Sequence, residues 1–501
     1  MSSPLAHAPV YRETVLAPLF AVVTRHHWRH LLCVNRAHAV MLAERDLLTA
    51  ADAAAILGAI DHLEAHLERT IDTLEYDSAH EDFFFYVESE LRARTGADVA
   101  GRLHTGRSRN DVDQTILRMA LRERLLALGA DLAALVGTVV AVARRHRSSL
   151  VVAYTHGQPA QPTTWGHYLG AFAELLLRDA DRLLHAFSTV DRSAMGAAAI
   201  TTTGLPIDRV RMAELLGFAS VQRNAYGCIA ACDYATESYA ALDLLLLNIG
   251  RFVQDLGQWA SFEVGHLQVP ESFVQRSSIM PQKRNPVPIE HLRLLCSVGS
   301  GHCRTVLLAM HNTPFTDVND NEHTVHEVGY AAFDAAHRVL ALLERFVGAV
   351  TIDDAAVRRH IADSCITMTE VADSLVRSEG ISFAQAHAIC SRLARTLADR
   401  GLPLTELSYA AFAAAFDEAV GRPPTVTDAE LRRFATPEHF IAVRDRIGGP
   451  APAALDTAFE EYERQLALVT AAFDAHRERL ARAAATLTAA ARQQRTRAGA
   501  G

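Results

Sequence analysis

The feature that most constrains this fold is helical periodicity maintained over stretches too long for one small core to cover. Apolar residues recur three and four positions apart along residues 112–148, and residues 162–190 and 228–265 repeat the pattern with acids and arginines on the opposite face. Alternation with a period of two, which is typical of strands, is almost absent. Helices of this length bury their apolar faces only against other long helices. The sequence therefore predicts an all-α protein with a central bundle of long helices.

Composition and charge exclude several classes of protein. The chain has 501 residues, half of them hydrophobic, and a formal net charge of −9. A chain of this length can bury a large core, and its acidic balance favours neither nucleic acid nor an anionic membrane as a partner. The longest apolar run, near residues 135–143, is far shorter than the roughly 20 residues of a membrane-spanning helix. The first 20 residues lack the pattern of a signal peptide, so we expect a cytoplasmic protein with a small-molecule substrate.

The seven cysteines do not indicate a metal site. They are scattered along the chain and form no CxxC pair. Cys228 and Cys232 lie one helical turn apart, but two thiols without neighbouring histidines are more typical of core packing than of metal coordination. We predict that the protein uses no metal and no other cofactor.

Three polar segments containing Gly or Pro interrupt the helical pattern, and each precedes a long helix. They read GRLHTGRSRND at 101–111, YTHGQPAQPTTWGH at 154–167 and RSSIMPQKRNP at 276–286. Such segments place backbone N–H groups and short polar side chains at helix N-termini, where anions bind readily. For each segment taken singly, a surface loop that caps a helix is the alternative interpretation.

The C-terminal third differs from the rest of the chain. From about residue 365 the predicted helices are shorter, and the joints GRPPTVTD and GGPAPAALD are rich in proline. The final residues, ARQQRTRAGAG, lack an apolar stripe and predict a frayed, disordered tail. We therefore predict an N-terminal helical domain at 1–111, a central long-helix bundle at 112–364, a small helical domain at 365–485 and a tail at 486–501.

Six segments in the same order resemble the fumarase/aspartase superfamily and, within it, the argininosuccinate lyases. They are AHAVML at 37–42, GRLHTGRSRND, YTHGQPAQP, MGAAAITTTGLPIDR at 195–209, SSIMPQKRNP and FIAVRDRIGGPAP at 440–452. The resemblance extends over nearly the whole chain. It implies a three-domain all-α fold, a homotetramer with a twenty-helix core, active sites each assembled from three chains, and a carbon–nitrogen lyase that releases fumarate.

The resemblance also implies roles for four residues in the reaction. Ser277 would be the general base that removes a proton next to a carboxylate, and Lys283 would stabilise the serine anion. His156 would help to protonate the leaving nitrogen, and Glu290 would pair with His156 and raise its basicity. A serine hydroxyl is a poor base in water, so its anion needs nearby cations and backbone N–H groups.

A dicarboxylate substrate needs hydroxyl, amide and guanidinium donors around it. The residues that the resemblance implies for substrate binding are Ser108, Arg109, Asn110, Thr155, Gln161, Asn285, Asn35, Asp317 and Glu322. At the position of Asn35 the family usually has a serine.

Departures from the argininosuccinate lyase pattern concentrate on the amine side of the substrate. The family segment TYNKDLQEDK here reads TDVNDNEHTV, so Asp317, Glu322 and Val325 replace Tyr, Gln and Lys. Elsewhere Arg276 stands where a glycine normally precedes the two serines, and Phe84 replaces a histidine. Losing a lysine and gaining two carboxylates favours a leaving amine with more cationic and less anionic character.

Two alternatives remain open from the sequence. The chain could be a true argininosuccinate lyase of arginine biosynthesis in which these substitutions are tolerated drift, or a non-catalytic structural member of the family. The intact residues Ser277, Lys283 and His156 argue against the structural role. The sequence therefore favours an argininosuccinate lyase-like enzyme that acts on an N-substituted aspartate.

Overall fold

A computed structural model describes residues 7–497 and is helical almost throughout. The N-terminal region packs its helices around a cluster of buried apolar side chains. Its helices are α1 (Pro9–Tyr11), a π-helical turn (Arg12–Leu16), α2 (Ala17–His26), α3 (Trp28–Glu44), α4 (Ala50–Thr70), a 3-10 turn (Ile71–Thr73), α5 (Phe83–Thr95) and α6 (Ala97–Arg102).

The central region is built from long helices. Its helices are α7 (Arg109–Arg145), α8 (Trp165–Val190), α9 (Arg209–Leu215), α10 (Ala225–Ala230), α11 (Asp233–Trp259), α12 (Val287–Met310), α13 (His323–Ala349) and α14 (Asp354–Asp363), with 3-10 turns at Glu271–Phe273 and Asn319–Asn321. Five of them, α7, α8, α11, α12 and α13, pack each against the next, and α13 returns to α7, which closes a ring. Their inward faces form one continuous apolar core. The prediction of an all-α fold with a central long-helix bundle is confirmed.

The region after residue 365 contains shorter helices with a separate apolar cluster. These helices are α15 (Met368–Glu379), α16 (Phe383–Asp399), a 3-10 turn (Leu404–Glu406), α17 (Tyr409–Val420), α18 (Asp428–Phe434) and α19 (Pro437–Ala442), and one long helix follows, α20 (Pro452–Arg497). Gly380 and Gly421 end α15 and α17 with φ of 67° and 80°, a conformation that glycine adopts without steric cost.

Strands are short and form two-stranded pairs in the described part of the chain. They are β1 (Leu150–Thr155) with β2 (Gln158–Thr164), β3 (Arg192–Ser193) with β4 (Ser220–Val221), β5 (Leu267–Gln268) with β8 (Thr351–Ile352), and β6 (Gln275–Arg276) with β7 (Arg284–Asn285). The pair β3–β4 is parallel and the other three are antiparallel. The β1–β2 hairpin connects α7 to α8, and β6–β7 closes the loop that precedes α12.

Polar caps in the sequence determine where many of these helices begin. The residues Thr49, Asp82, Ser108, Thr164 and Ser382 each accept a backbone N–H from the first turn of the helix that follows. These side chains satisfy donors that the helix leaves unpaired. Two of the predicted segments, at 101–111 and 154–167, therefore end in helix caps.

The C-terminal helix corrects the prediction of a tail at 486–501. Helix α20 continues unbroken to Arg497, and residues 498–501 lie outside the described part of the chain. Phe459 and Phe473 enter the core of the central bundle, and Leu487 enters the N-terminal cluster. Much of the buried surface at the end of α20 comes from alanines. The sequence pattern missed this because alanines give a weak apolar stripe.

Helix α20 also changes how the predicted small domain at 365–485 is understood. It packs against α7, α8, α4 and α3 rather than against α15 to α19. Gly129 of α7 allows this close approach, because a Cβ at this position would lie 2.4 Å from the Phe473 ring. The last helix thus connects the N-terminal and central cores, and the division of the chain into domains at 111 and 364 stays a prediction.

Helix α7 is long and apolar enough to cross a membrane by length and composition alone. It contains an 18-residue window with a mean hydropathy of 2.2, of which 56% is buried inside the protein. Its neighbours on the ring are α8 and α13, and α20 packs on it from a third side. These contacts are typical of a core helix in a helical bundle.

We predict that Phe473→Ala destabilises the fold strongly. Phe473 is 1% exposed and fills the space beside Gly129, so its removal leaves a cavity that costs about 3–5 kcal/mol. Thermal or urea denaturation followed by circular dichroism measures the effect. Leu468→Ala is the matched control, since Leu468 lies on the same helix and is 60% exposed. Equal denaturation midpoints for the two variants would contradict the position of α20.

Candidate active site

The loop at 276–286 is a hairpin whose base is fixed by two strand residues on each side. Gln275 pairs with Asn285 and Arg276 with Arg284, which encloses residues 277–283, and residues 278–283 are exposed. The Ser277 hydroxyl lies at the start of this stretch and is half-buried. Its Oγ accepts the backbone N–H of Met280 at 3.0 Å and that of Ile279 at 3.4 Å. Two N–H donors directed at this oxygen favour its anionic form.

An ion-pair bridge holds the base of this hairpin. The Glu271 carboxylate accepts hydrogen bonds from Arg276 at 3.0 Å and from Arg284, and Arg284 also donates to the carbonyl of Val269 at 2.9 Å. The hydrogen bond from Arg276 lowers the pKa of Glu271. Arg276, which replaces the usual glycine, is therefore one of two arginines that bind Glu271. The Glu271 carboxylate offsets the positive charge that Arg276 adds beside Ser277.

Two other predicted residues flank this hairpin. The backbone N–H of Lys283 donates to the carbonyl of Met280 at 3.1 Å and tightens the turn, while the Lys283 side chain is exposed. Glu290 lies in the first turn of α12 and is exposed. Acidic residues are favoured at this end of a helix.

The second predicted segment forms the tip of the β1–β2 hairpin. Thr155 pairs with Gln158, so His156 and Gly157 make the two-residue turn, with φ of 52° and 73°. Positive φ at both central residues is what a tight hairpin turn requires, and it is unusual for histidine. Thr155, His156 and Gln161 are all exposed in this chain. The turn therefore presents the imidazole away from the body of the bundle.

The first predicted segment is held by a buried carboxylate. Ser108 is the N-cap of α7, and the Asp111 side chain accepts the N–H of Ser108 at 2.9 Å, of Gly196 at 2.8 Å and of Ala198 at 2.9 Å. Burial raises the pKa of Asp111 to about 6, although these N–H donors oppose the shift. Asp111 thus joins the 101–111 segment to the MGAAAITTTGLPIDR segment.

The structure brings four of the predicted residues together beside this cap. The Arg109 guanidinium contacts Asp82 at 2.7 Å and Glu81 at 3.7 Å. Asn110 donates from Nδ2 to Asp317 at 2.8 Å and to the carbonyl of Ala199 at 3.1 Å. Arg109 and Asn110 thus lie on one side of the site. Asp317 and Glu322, which replace the Tyr and Gln of the family segment, lie on the other.

A cavity of about 150 Å³ opens at this place. It is lined by the carboxylates of Asp82, Asp113 and Glu322 and by Arg109 and His323, with apolar side chains of the first helices as its other wall. Burial, with Asp113 and Asp317 nearby, raises the pKa of Glu322 to about 7. Burial also raises the pKa of Asp317. The carboxylates here are crowded, and few cations offset them.

Asn35 lies deeper in the molecule than the other predicted binding residues. It is 2% exposed, and its Oδ1 accepts a hydrogen bond from Arg107. Burial lowers the pKa of Arg107 to about 10. Asn35 therefore faces a buried cation next to the first segment.

The three predicted segments stay separate within one chain. Among residues 7–497, no hydrogen bond or ion pair joins the hairpin tip at His156 to the Ser277 loop, and none joins either of them to Arg109. The predicted pair of His156 with Glu290 is likewise not formed inside one chain. The roles assigned to these residues stay predictions that depend on neighbouring chains.

Several charged residues of the site were not predicted from the sequence. Asp82, Asp113 and His323 line the cavity, and Glu271 fixes the hairpin. Asp82 lies two residues before Phe84, a position at which the chain departs from the family pattern. His323 lies in the substituted stretch TDVNDNEHTV, where the residues named were Asp317, Glu322 and Val325, and Asp113 and Glu271 belong to no segment that resembles the family.

Comparisons with known proteins agree with this geometry. A family model described as "Lyase" matches residues 22–301, and one described as "Argininosuccinate lyase C-terminal" matches residues 365–442. "Argininosuccinate lyase 2" of Agrobacterium fabrum is 51% identical over 94% of this chain and 92% of that protein. "Argininosuccinate lyase 1" of Shouchella clausii is 31% identical over 88% of each chain.

Solved structures give the same result. The crystal structure of EDDS lyase in complex with formate superposes with a TM-score of 0.87 at 27% identity, covering 98% of this chain and 96% of that chain. A class II fumarase from Schistosoma mansoni superposes with a TM-score of 0.67 at 14% identity, covering 86% of this chain and 92% of that chain, which supports the fold alone.

A closed ring of long helices with a serine hairpin before one of them defines a lyase of the fumarase/aspartase superfamily. Within it, the chain belongs to the argininosuccinate lyase family. The prediction of a carbon–nitrogen lyase that releases fumarate is confirmed by these relatives.

Proposed function

We propose that this enzyme eliminates fumarate from an N-substituted aspartate whose departing amine carries a cationic group and no carboxylate. The observation that carries the proposal is the acidity of the cavity beside Arg109. Asp82, Asp113 and Glu322 line it, Asp317 lies close enough to Asp113 and Arg109 to interact with them electrostatically, and Arg109 is already paired with Asp82. A cation entering this cavity gains favourable contacts, whereas a carboxylate meets like charge.

Ser277 begins the reaction in this proposal. Its hydroxyl gives its proton to solvent, to which the loop is exposed, and the resulting alkoxide takes the proton from the carbon next to the substrate carboxylate. Negative charge develops first on Ser277 Oγ, where the N–H groups of Met280 and Ile279 are already directed. Lys283 follows on the same loop and supplies a mobile positive charge.

The leaving nitrogen needs a proton as its bond to carbon breaks. His156, at the exposed hairpin tip, supplies it from a second chain, and Glu290, at the start of α12, pairs with that histidine across the interface. Thr155 and Gln161 of the same hairpin, with Asn285, bind one carboxylate of the succinyl group. Ser108, Arg109 and Asn110 bind the other part of the substrate from a third segment. This arrangement explains why Thr155, His156, Gln161 and Glu290 are exposed in a single chain.

We further propose a homotetramer in the cytoplasm as the working form. Apolar residues on two helices of the ring support it, because they face outward: Leu244 and Leu247 on α11, and Leu294, Val298 and Leu308 on α12 are 41–72% exposed. Contiguous exposed apolar surface of this kind marks an interaction site in a water-soluble protein. Four copies of a five-helix ring also supply the twenty helices expected of the family core.

True argininosuccinate lyase activity is the second candidate. The 51% identity to a protein with that name favours it, and the residues of the proposed fumarate side are the same in both proposals. The two differ at the cavity, because arginine as a leaving group carries an α-carboxylate. The substrate test below separates them, and it also excludes the non-catalytic alternative if any substrate is cleaved.

Replacing the proposed base tests the mechanism. We predict that Ser277→Ala lowers turnover by at least about 10²-fold, the typical contribution of a general base, and leaves the fold intact because no core contact is lost. Fumarate absorbance in the ultraviolet measures the rate. Ser278→Ala is the matched control, since Ser278 is the adjacent exposed serine and should keep most of the activity. An active Ser277→Ala enzyme beside an inactive Ser278→Ala enzyme would reverse the assignment.

The assembly gives a second prediction. Light scattering of the purified protein should give the mass of four chains, and Leu294→Asp with Leu308→Asp should reduce both that mass and the activity. Charges at these positions disrupt an apolar interface without entering the core of the chain. A fully active monomer would exclude sites built from several chains.

The substrate gives a third prediction. Compared with argininosuccinate, an aspartate adduct of a carboxylate-free cationic amine should have a kcat/KM at least about tenfold higher, because one like-charge contact costs on the order of 1.4 kcal/mol. Asp317→Tyr should shift the preference back toward argininosuccinate, and Asp320→Asn should not, because Asp317 and not Asp320 accepts the hydrogen bond from Asn110. Faster cleavage of argininosuccinate than of every carboxylate-free adduct would establish the second candidate instead.

A further inference from the structure

A buried chain of hydrogen-bonding side chains leads from the acidic cavity into the protein. His323 lies at the start of α13 and places Nε2 3.3 Å from Oδ1 of Asp113. Its other ring nitrogen, Nδ1, lies 2.9 Å from Nδ1 of His27. His27 Nε2 lies 2.8 Å from the hydroxyl of Tyr330. His27 and Tyr330 are almost completely buried, so water does not compete for these contacts.

The contact between the two Nδ1 atoms links the protonation of both histidines. One of the two nitrogens must carry a proton and the other a lone pair. If His323 is cationic, it donates to His27, and His27 keeps its own proton on Nε2 and donates to Tyr330. If His323 is neutral with its proton on Nε2, His27 donates from Nδ1 and Tyr330 donates to His27 Nε2. Both states satisfy every nitrogen of the chain, so His323 can change charge without leaving a buried group unpaired.

Charged groups of opposite sign face His323 from several elements. The carboxylates of Asp113 on α7, Glu322 at the start of α13 and Asp82 before α5 favour its cationic form, and Asp113 is the strongest of them. Burial acts in the opposite direction, yet the pKa of His323 is raised.

On the side of His323 away from the cavity, the neighbouring groups disfavour a positive charge. His26, His30 and His326 face His27, and Arg124 lies 3.6 Å from the centre of the Tyr330 ring. Burial and these neighbours lower the pKa of His27 well below its usual range. The proton of the pair therefore resides on His323, on the side of the cavity.

We propose that His323 is a specificity-determining residue of the amine side: it supplies a positive charge beside Asp113 before substrate binds and releases its proton to solvent when the cationic group of the substrate arrives. The inference rests on the proposed function, because it assumes that this cavity receives the departing amine. The buried pair of His27 and Tyr330 is a positioning device, since it holds the His323 ring in the same place in both protonation states.

The consequence for pH follows from competition between two cations. A protonated His323 and a bound substrate cation repel each other, so binding is weaker below the pKa of His323 and stronger above it. Glu322, with a pKa of about 7, adds an effect of the same sign, because its carboxylate forms as the pH rises. A neutral substrate of the same shape displaces no proton and should show neither effect.

A matched substrate pair isolates this effect from the chemistry. The two probes are the aspartate adducts of 2-(trimethylammonio)ethylamine, with a fixed positive charge, and of 3,3-dimethylbutylamine, its neutral isostere. The quantity to measure is the ratio of their kcat/KM values between about pH 6 and 8. Titration of the residues that transfer protons affects both substrates equally and cancels in the ratio.

In the parent enzyme the ratio should rise with pH by up to about a hundredfold over this range. The logarithm of the ratio rises by about two per pH unit only where both His323 and Glu322 are protonated before the substrate binds, so the average slope over the range is smaller. His323→Gln should reduce the pH dependence of the ratio to the part that Glu322 causes, and it should raise the ratio at pH 6. Glu322→Gln should leave only the part of the pH dependence that His323 causes. In the double variant the ratio should not change with pH.

An unchanged slope in a folded His323→Gln enzyme would overturn the inference. If this variant does not fold, calorimetry of the Ser277→Ala protein with the cationic adduct in buffers of different ionisation enthalpy counts the protons released on binding. Release of more than one proton near pH 6 supports the role of His323 alongside Glu322, and release of one or none contradicts it. If the parent enzyme cleaves neither adduct, the proposed function fails; a pH-independent ratio for two good substrates rejects only the role of His323.

Discussion

The buried carboxylate of Asp111 is the interaction on which the arrangement of this site depends. It accepts N–H groups from Ser108, Gly196 and Ala198, so it caps the longest helix of the ring and fixes a second loop to it. Gly196 and Ala198 have φ of 82° and 52°, and a Cβ at Gly196 would lie 2.6 Å from Arg209. A loop in this strained conformation needs strong anchors. Because the anchor is also in the first turn of α7, Arg109 reaches the cavity and Asn110 reaches Asp317 from a rigid base.

The long helices could be predicted from sequence because their apolar periodicity is a local signal. The predicted stretches 112–148, 162–190 and 228–265 contain α7, α8 and α11, with bounds displaced by a few residues where caps such as Thr164 start a helix. The end of helix α20 was not predicted from the sequence, because its buried surface there is largely alanine. Closure of the ring and the return of α20 to α7 arise from contacts between distant segments, which periodicity does not encode.

The same difference between contiguous motifs and contacts formed on folding applies to the site. The Ser277 loop and the cap at Ser108 were visible as motifs, since each is a short contiguous stretch. The partners that set their electrostatics were not: Glu271 neutralises Arg276, and Asp82 already holds Arg109. The first pairing is local but depends on the fold of the hairpin, and the second joins residues 27 positions apart. The chemistry of single residues is therefore easier to predict from sequence than the local charge that determines which substrate they accept.

The acidic cavity is electrostatically unfavourable for the protein by itself, and this supports the proposed function. A buried carboxyl group whose pKa is raised in the fold, as at Glu322, binds its proton more tightly folded than unfolded, so its contribution to stability falls as the pH rises through about 4.5 to 7. Asp317 and Asp113 add to the repulsion. Only Arg109 and His323 offset it on the cavity wall. A substrate of the proposed kind, which carries its own positive charge, would supply the missing partner, so binding would relieve the repulsion among these carboxylates.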